Sequence, residues 1–261
     1  MRSVDKDHFK FAYRDFALVY DEMMIGIDYP FWTDYILRLF RKYSTLSNDE
    51  VPFSILDLAC GTGNFMACMR EKGWLVTGVD RSLSMLAIAN EKLNKAGDNV
   101  RLFEQDITRF AVGEKFPLIT CLCDSLNYIL SPTHLQATLE RVYEHLMPGG
   151  IFIADLNSAF KFREVLGDNT YSAVFENSAY IWSNSFDSTS KLCQMEVDFF
   201  HRQKGELFRH FKEVHWQRLY ETEEFSQLAK KAGFSKVKAF KAFTFVPPTV
   251  EDERIFYLLF R

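Results

Sequence analysis

The chain has 261 residues, 48% of them hydrophobic and 25% charged, with a net charge of −4; the apolar share is ample for a packed core, and the length fits one large domain or a domain carrying an insertion. The acidic balance and the absence of any long run of Lys or Arg argue against nucleic acid as the partner. Five cysteines, at 60, 68, 121, 123 and 193, form no Cys-x-x-Cys pair, so neither a disulfide framework nor a metal site is expected and a reducing cytoplasm fits best.

The N-terminus carries no apolar signal core, and no stretch reaches ~18 uninterrupted apolar residues, so a soluble, unexported chain away from membranes is expected. Phe9, Ala12, Tyr13, Phe16, Ala17 and Tyr20 recur at spacings of three and four, which is helical. Pro30 opens a second helix, with an apolar stripe at Phe31, Tyr35, Ile36 and Leu39. From residue 53 strands and helices alternate. Strands are expected at 53–58, 74–79, 100–104, 116–123 and 151–156. Helices are expected at 64–72, 82–95 (with Ser82 as N-cap) and 132–146, the last ended by Met147-Pro148-Gly149-Gly150. This alternation predicts a parallel sheet covered on both faces, a doubly wound α/β fold.

Between 171 and 220 the period drops to two, with turn signals at 184–190 and at Lys204-Gly205. About four antiparallel strands are expected there. Thr222-Glu223-Glu224-Phe225 then starts a helix in the manner of a capping box, Gly233 closes it, and strands at 236–245 and 255–260 end the chain.

In doubly wound sheets ligands sit at the carboxyl ends of the strands. Four such ends are Asp57 to Gly63, Asp80, Gln105-Asp106, and Cys123 to Tyr128. Gly61 and Gly63 let backbone approach a ligand closely, and the following helix aims N–H groups at the same place. A nicotinamide dinucleotide fits poorly, because the sixth position of G-x-G-x-x-G is Met66. Asp57 also places a negative charge where a pyrophosphate would lie, a repulsion of about 4 kcal/mol at 4 Å and an effective dielectric near 20. A sulfonium with a zwitterionic amino-acid tail tolerates that carboxylate. Asp80, 17 residues after Gly63, can accept both hydroxyls of a ribose. Asp106 can accept an adenine amino group, with Ile107 and Met85 covering the base.

The stretch ILDLACGTGNF…VTGVDRSLSMLAIA…FEQDI…ITCLCDSLNYI…LMPGGIFIADLN resembles the class I S-adenosylmethionine-dependent methyltransferases over about residues 53–157. The resemblance implies a Rossmann-like seven-stranded sheet whose last strand is antiparallel. It implies S-adenosyl-L-methionine as cofactor, with S-adenosyl-L-homocysteine as product. Asp57, Ala59, Cys60, Gly61 and Gly63 would line the methionine half, and Asp80 beside Arg81 would hold the ribose. Met85, Gln105, Asp106 and Ile107 would surround the adenine, with Cys123 and Asp124 on the fourth-strand side. YRDFALVYDEMM and DYPFW are similar to the helical lid of a subgroup whose aromatics reach the cofactor, at Tyr13, Tyr20 and Trp32. On this reading, residues 1–157 and 221–261 form the cofactor domain, with 1–45 as lid, and 158–220 an inserted cap.

The sulfonium methyl is already activated, so placing an acceptor about 3 Å from it accounts for much of the rate, and aromatic faces at Tyr13 or Tyr128 can bind the cation. An amine acceptor must lose a proton. His215, in EVHWQRLYE, is the favoured pocket histidine, sharing a strand face with Gln217 and Leu219. Tyr128 is the second catalytic candidate, and Asn127 lines the pocket beside it. Arg218 either binds an acidic substrate or pairs with Glu221 or Glu223; His134 and His145 are expected to face solvent. The leading expectation is methyl transfer to nitrogen or oxygen of a small molecule. An RNA or protein acceptor, or a non-catalytic cofactor-binding module, are the alternatives.

Overall fold

A computed structural model describes residues 16–46, 53–94 and 100–261. Tyr13 and the start of the expected first helix lie outside the described residues.

The chain enters through α1 (Ala17–Met23) and α2 (Tyr29–Tyr43), the latter capped by Asp28, whose side chain accepts from Phe31 N at 2.9 Å, with Pro30 in the first turn. The alternation follows as β1 (Ser54–Leu58), α3 (Asn64–Glu71), β2 (Leu75–Asp80), α4 (Leu83–Leu93), β3 (Val100–Glu104), β4 (Phe116–Cys121), α5 (Pro132–His145) and β5 (Leu146–Asn157). Then come β6 (Thr170–Val174), β7 (Ser178–Asp187), β8 (Leu192–Arg202), β9 (Phe208–Arg218), α6 (Thr222–Lys231), β10 (Lys236–Lys241) and β11 (Arg254–Phe260).

Seven strands form one sheet in the order β10-β11-β5-β4-β1-β2-β3, parallel except for β11, which runs antiparallel to both its neighbours. The sheet reverses direction of winding between β1 and β4, the switch point at which doubly wound folds bind ligands. Strand alternation divides the core in two. Leu56, Leu58, Phe152 and Ala154 pack on α5 and α6 through Leu139, Val142 and Phe225. Ile55, Val76, Leu118 and Ile153 pack on α2 to α4 through Ile36, Met66 and Ala89. Burial on both faces is why these strands read as continuous apolar runs.

Met66 occupies the helix position where a dinucleotide fold carries its third glycine. The close approach is made instead from the strand side: a Cβ on Gly78 of β2 would sit 2.7 Å from both Met66 Sδ and Cys60 Sγ.

The remaining strands β6 to β9 form a separate antiparallel meander. A π-helical turn, Lys161–Leu166, which the sequence did not signal, leads into it and buries Phe162 and Leu166 against Cys193 and Leu219. Three local expectations are corrected. Met147 to Gly150 lies within β5 as an irregularity opposite Pro117, where the β4–β5 pairing jumps from Phe116↔Leu146 to Leu118↔Ile151; Pro117 has no N–H to pair. The N-cap of α6 is Glu221, without a side-chain cap bond, and the Thr222 hydroxyl bonds instead to Tyr257 Oη at 2.8 Å. His145 is buried at the end of α5, its Nδ1 2.7 Å from Arg141 O, whereas His134 is exposed. Among the described residues no helix is long and apolar enough to cross a membrane.

Gly78→Ala should lower the thermal midpoint, at a cost of about 1–3 kcal/mol. Gly26→Ala, where a Cβ meets nothing within 4 Å, is the control and should leave the midpoint within a degree or two.

Candidate functional site

A cavity opens at the carboxyl ends of β1 and β4, with about 410 Å3 of empty space continuous with solvent. Asp57, Ala59 and Cys60 line it from the end of β1, and Thr62, Asn64 and Phe65 from the turn and α3. Leu122, Cys123 and Ser125 contribute from beyond β4. Tyr20, Tyr29 and Trp32 close it from the two leading helices.

The turn between β1 and α3 takes its shape from left-handed residues: Ala59 at φ 54°, Gly61 at 55° and Gly63 at 77°. Such φ values are uncommon for a residue with a Cβ and mark a constrained turn. The two glycines do different work. The Cβ side of Gly61 looks toward Tyr20, 4.0 Å away, on the cavity side. The Cβ side of Gly63 is filled by Leu93 and Ala89 of α4 at 3.0 and 3.2 Å, so its missing side chain makes room for helix packing.

Asp80 ends β2 with one carboxylate oxygen accepting from Gly61 N at 2.9 Å and the other from Ser82 N at 2.8 Å. Each oxygen keeps a further lone pair. Burial raises its pKa despite those bonds from Ser82 and Gly61. Asp57 is 4% exposed, accepts from Thr120 Oγ1 at 2.7 Å, and is pushed by burial up to about 7.

Beyond β2, Met85 is buried under the Ser82 cap and Arg81 is exposed. Gln105 N donates to Asp80 O at 2.9 Å, which sets the β3 end beside the β2 end. The Gln105 side chain turns away, its amide bonding both the N–H and the C=O of Ala111. Asp106 accepts from Thr108 N at 2.9 Å, and Ile107 packs against the core.

On the β4 side, Cys123 and Asp124 are both left-handed, at φ 55° and 50°. The ion cluster beneath them was not legible in advance. Asp155 of β5 is fully buried and binds Arg254 of β11, whose other nitrogen lies 2.8 Å from Asp124 Oδ1. Asp155 also accepts from Asp124 N at 3.0 Å. Burial works against the Arg254 charge, yet Asp155 and Asp124 hold its pKa above the ordinary value. Burial and the Asp155 charge push the Cys123 thiol well up, so it is a neutral wall and not a nucleophile.

A second pocket, open to solvent and with about 320 Å3 of empty space, lies between this rim and the meander. Its walls are Phe16 and Met23 at the two ends of α1, Tyr128 after β4, and Trp182, Met195, Val197 and Phe199 of the meander, with His215 of β9. His215 and Tyr128 are thus brought together, edge to face with centroids 6.0 Å apart. His215 is 6% exposed, with Nε2 3.2 Å from Glu213 Oε2. Its strand neighbour Gln217 docks the meander on the rim, donating to Asp124 Oδ2 at 2.7 Å and accepting from Asn157 at 3.1 Å.

Two expectations change. Asn127 is not a pocket wall: its amide donates to Arg218 O and its carbonyl accepts from Asn157 N, which fastens β9 to β5. Arg218 pairs with Glu224 at 2.7 Å, rather than with Glu221 or Glu223.

Helix α1 spans both cavities. Asp21 accepts from Thr62, Asn64 and Lys92 on the glycine-turn side. The next residue, Glu22, accepts from Asn177 N and Ser178 Oγ of the meander, and Glu213 accepts from Phe16 N at 3.2 Å.

Residues 55–150 match the family model described as "Methyltransferase domain". The chain is 33% identical over 246 residues to "Putative methyltransferase YqeM" of Bacillus subtilis (strain 168), covering 94% of this chain and 95% of that one. It superposes with a TM-score of 0.83 on a crystal structure of a S-adenosylmethionine-dependent methyltransferase from Clostridium acetobutylicum ATCC 824, at 34% identity over 95% of this chain and 98% of that one. It is also 28% identical, over 84% of its length and 90% of the relative, to a dTDP-3-amino-3,4,6-trideoxy-alpha-D-glucopyranose N,N-dimethyltransferase of Streptomyces venezuelae.

Arg254→Leu strands two carboxylates on a buried rim. It should cost about 3–5 kcal/mol, read as a lower urea midpoint, and Arg254→Lys should restore part of the loss.

Proposed function

Because this chain belongs to the S-adenosylmethionine-dependent methyltransferase family, we propose that it transfers a methyl group to a nitrogen or oxygen of a small molecule held in the second cavity. The observation that carries this is the second pocket, which adjoins the glycine-turn cavity where Phe16 meets Tyr20 at 5.3 Å, is walled by the meander and is furnished with His215. The sugar N,N-dimethyltransferase relative favours nitrogen.

The residues present suit the cofactor. Gly61 puts no side chain of its own into the cavity, Asp80 retains acceptor capacity for two hydroxyls, and Asp57 accepts from Thr120 alone among the described residues. When bound, S-adenosylmethionine supplies a sulfonium methyl that passes to the acceptor's lone pair as the carbon–sulfur bond breaks, leaving sulfur neutral.

Asp57 and the backbone of Ala59 to Gly61 would hold the amino-acid end, Asp80 the ribose, and Met85, Asp106 and Ile107 the adenine. Tyr20, Tyr29 and Trp32 exclude water from the reacting end, which strengthens electrostatic terms there. The π faces of Tyr20 and Tyr128 suit a nearby cation. Burial raises the Tyr20 pKa well above its usual value, so its ring stays neutral. His215 takes the acceptor's proton, and Glu213, 3.2 Å from its Nε2, stabilises the imidazolium. In this reading residues 158–220 are the acceptor-binding cap on a domain made of the rest.

Three measurements test it. His215→Asn should lower kcat about 100-fold or more while S-adenosylhomocysteine binds as before; an unchanged kcat removes His215 from the reaction. Asp57 holds its proton below about 7, and only the ionised form attracts the cofactor's ammonium. Affinity should therefore rise from pH 6 to pH 8, and Asp57→Asn should flatten that slope. Calorimetry with S-adenosylhomocysteine against NAD checks the cofactor itself, and binding of NAD alone would sink the reading.

A further inference from the structure

We propose that Asp21 of α1 and Lys92 of α4 are a positioning pair that latches α1 over the glycine turn, and that this latch sets how fast the cofactor enters and leaves. The inference rests on the reading of the first cavity as the cofactor's.

Tyr20 shows why α1 has to give way. A Cβ on Gly61 would lie 4.0 Å from both Cε1 and Oη of Tyr20, so the ring stands at contact distance over the turn. A guest that reaches the backbone at Gly61 must displace that ring. Tyr20 belongs to α1, and the next residue makes the latch. Asp21 Oδ1 accepts from Thr62 Oγ1 at 2.6 Å and from Asn64 Nδ2 at 2.9 Å, and both donors line the cavity. Asp21 Oδ2 accepts from Lys92 Nζ at 2.8 Å, and Lys92 also donates to Asn64 Oδ1. These side chains form one network, in which α1, the turn and α4 are each held by the other two. Burial opposes the Asp21 charge, yet the bonds from Lys92 and Thr62 hold its carboxyl below the ordinary value, so the network is charged at neutral pH.

The helix cannot hold itself in place. It is seven residues long, well short of the ~12–15 at which an isolated helix is even marginal. Its buried Val19 packs on Val197 and Phe199, so apolar burial ties it to the meander while Asp21 ties it to the turn by polar bonds. The Lys92 and Asp21 side chains are 26% and 45% exposed, and an ion pair so placed is weak enough to open and close. A helix this short opens as a unit. Loosening Glu22, which accepts from Asn177 N and Ser178 Oγ of the meander, therefore loosens the latch as well, although Glu22 is not one of the residues lining either cavity.

The test is the kinetics of S-adenosylhomocysteine binding to the immobilised full chain, read by surface plasmon resonance. A latch before the site slows entry and exit alike. Asp21→Ala, Lys92→Met and Glu22→Ala should each raise kon and koff together, by about three- to tenfold, with Kd held within about twofold. Lys92→Arg, which keeps the charge and the donors, should keep the wild-type rates. Lys92→Met leaves α1 unaltered and carries the test should the α1 variants unfold, and its thermal midpoint checks that it is folded. A rise in koff alone, with Kd weakened to match, makes Asp21 an ordinary contact and overturns the proposal. Unchanged rates in folded Lys92→Met or Glu22→Ala overturn it too, while leaving the cofactor site standing. A wild-type chain that fails to bind S-adenosylhomocysteine overturns the underlying reading first.

Discussion

One guanidinium organises the rim on which both cavities depend. Arg254 is wedged between Asp155 and Asp124 and lies over the Trp32 ring at 5.5 Å. It can stand there only because β11 runs against the parallel strands. A backward strand delivers its first residue to the edge where its neighbours deliver their last. The charge balance then holds Cys123 and Asp124 in left-handed geometry that each would otherwise adopt at a cost of about 1–3 kcal/mol. Removing the arginine leaves carboxylates facing each other at low dielectric, the costly case for buried ions. The reversed strand of the seven-stranded sheet and the left-handed pair at Cys123 and Asp124 are in this sense a single feature.

The same cluster couples the two halves of the molecule. Asp124 accepts from Gln217 of β9 as well as from Arg254, and Asn157 and Asn127 tie β5 to the same strand. Polar groups buried in this way are satisfied only in one arrangement, so the meander is registered and not merely apposed to the rim. His215 sits two residues from Gln217 on the same face, and the position of its ring is inherited from that dock.

Much of the architecture was legible because it follows from local rules. Alternation at period 3.6 and period 2 gave the helices and strands, and the ends of parallel strands fall on one rim whatever their order. Asp57, Asp80 and Cys60 could thus be named from chain position alone, and strand alternation placed His215 and Gln217 on one face. The residues that escaped notice depend on contacts far apart in sequence. Asp155 is a single acid in an apolar strand, and Arg254 precedes another; each is unremarkable until pairing aligns Arg254 with Asn157, two residues from Asp155. Tyr29 lay unremarked within the DYPFW segment, and Glu213 needed the meander's register. At Gly63 a glycine says that a Cβ is unwelcome, and only the fold shows that Leu93 and Ala89 stand in its way.

Helix α1 carries two neighbouring acids that grip opposite partners: Asp21 the glycine turn, Glu22 the meander. A rigid helix held at adjacent residues cannot swing away from one partner about the other without breaking both sets of bonds. The walls of the two cavities are thus stapled together through one short helix, and displacing it breaks hydrogen bonds on both sides at once.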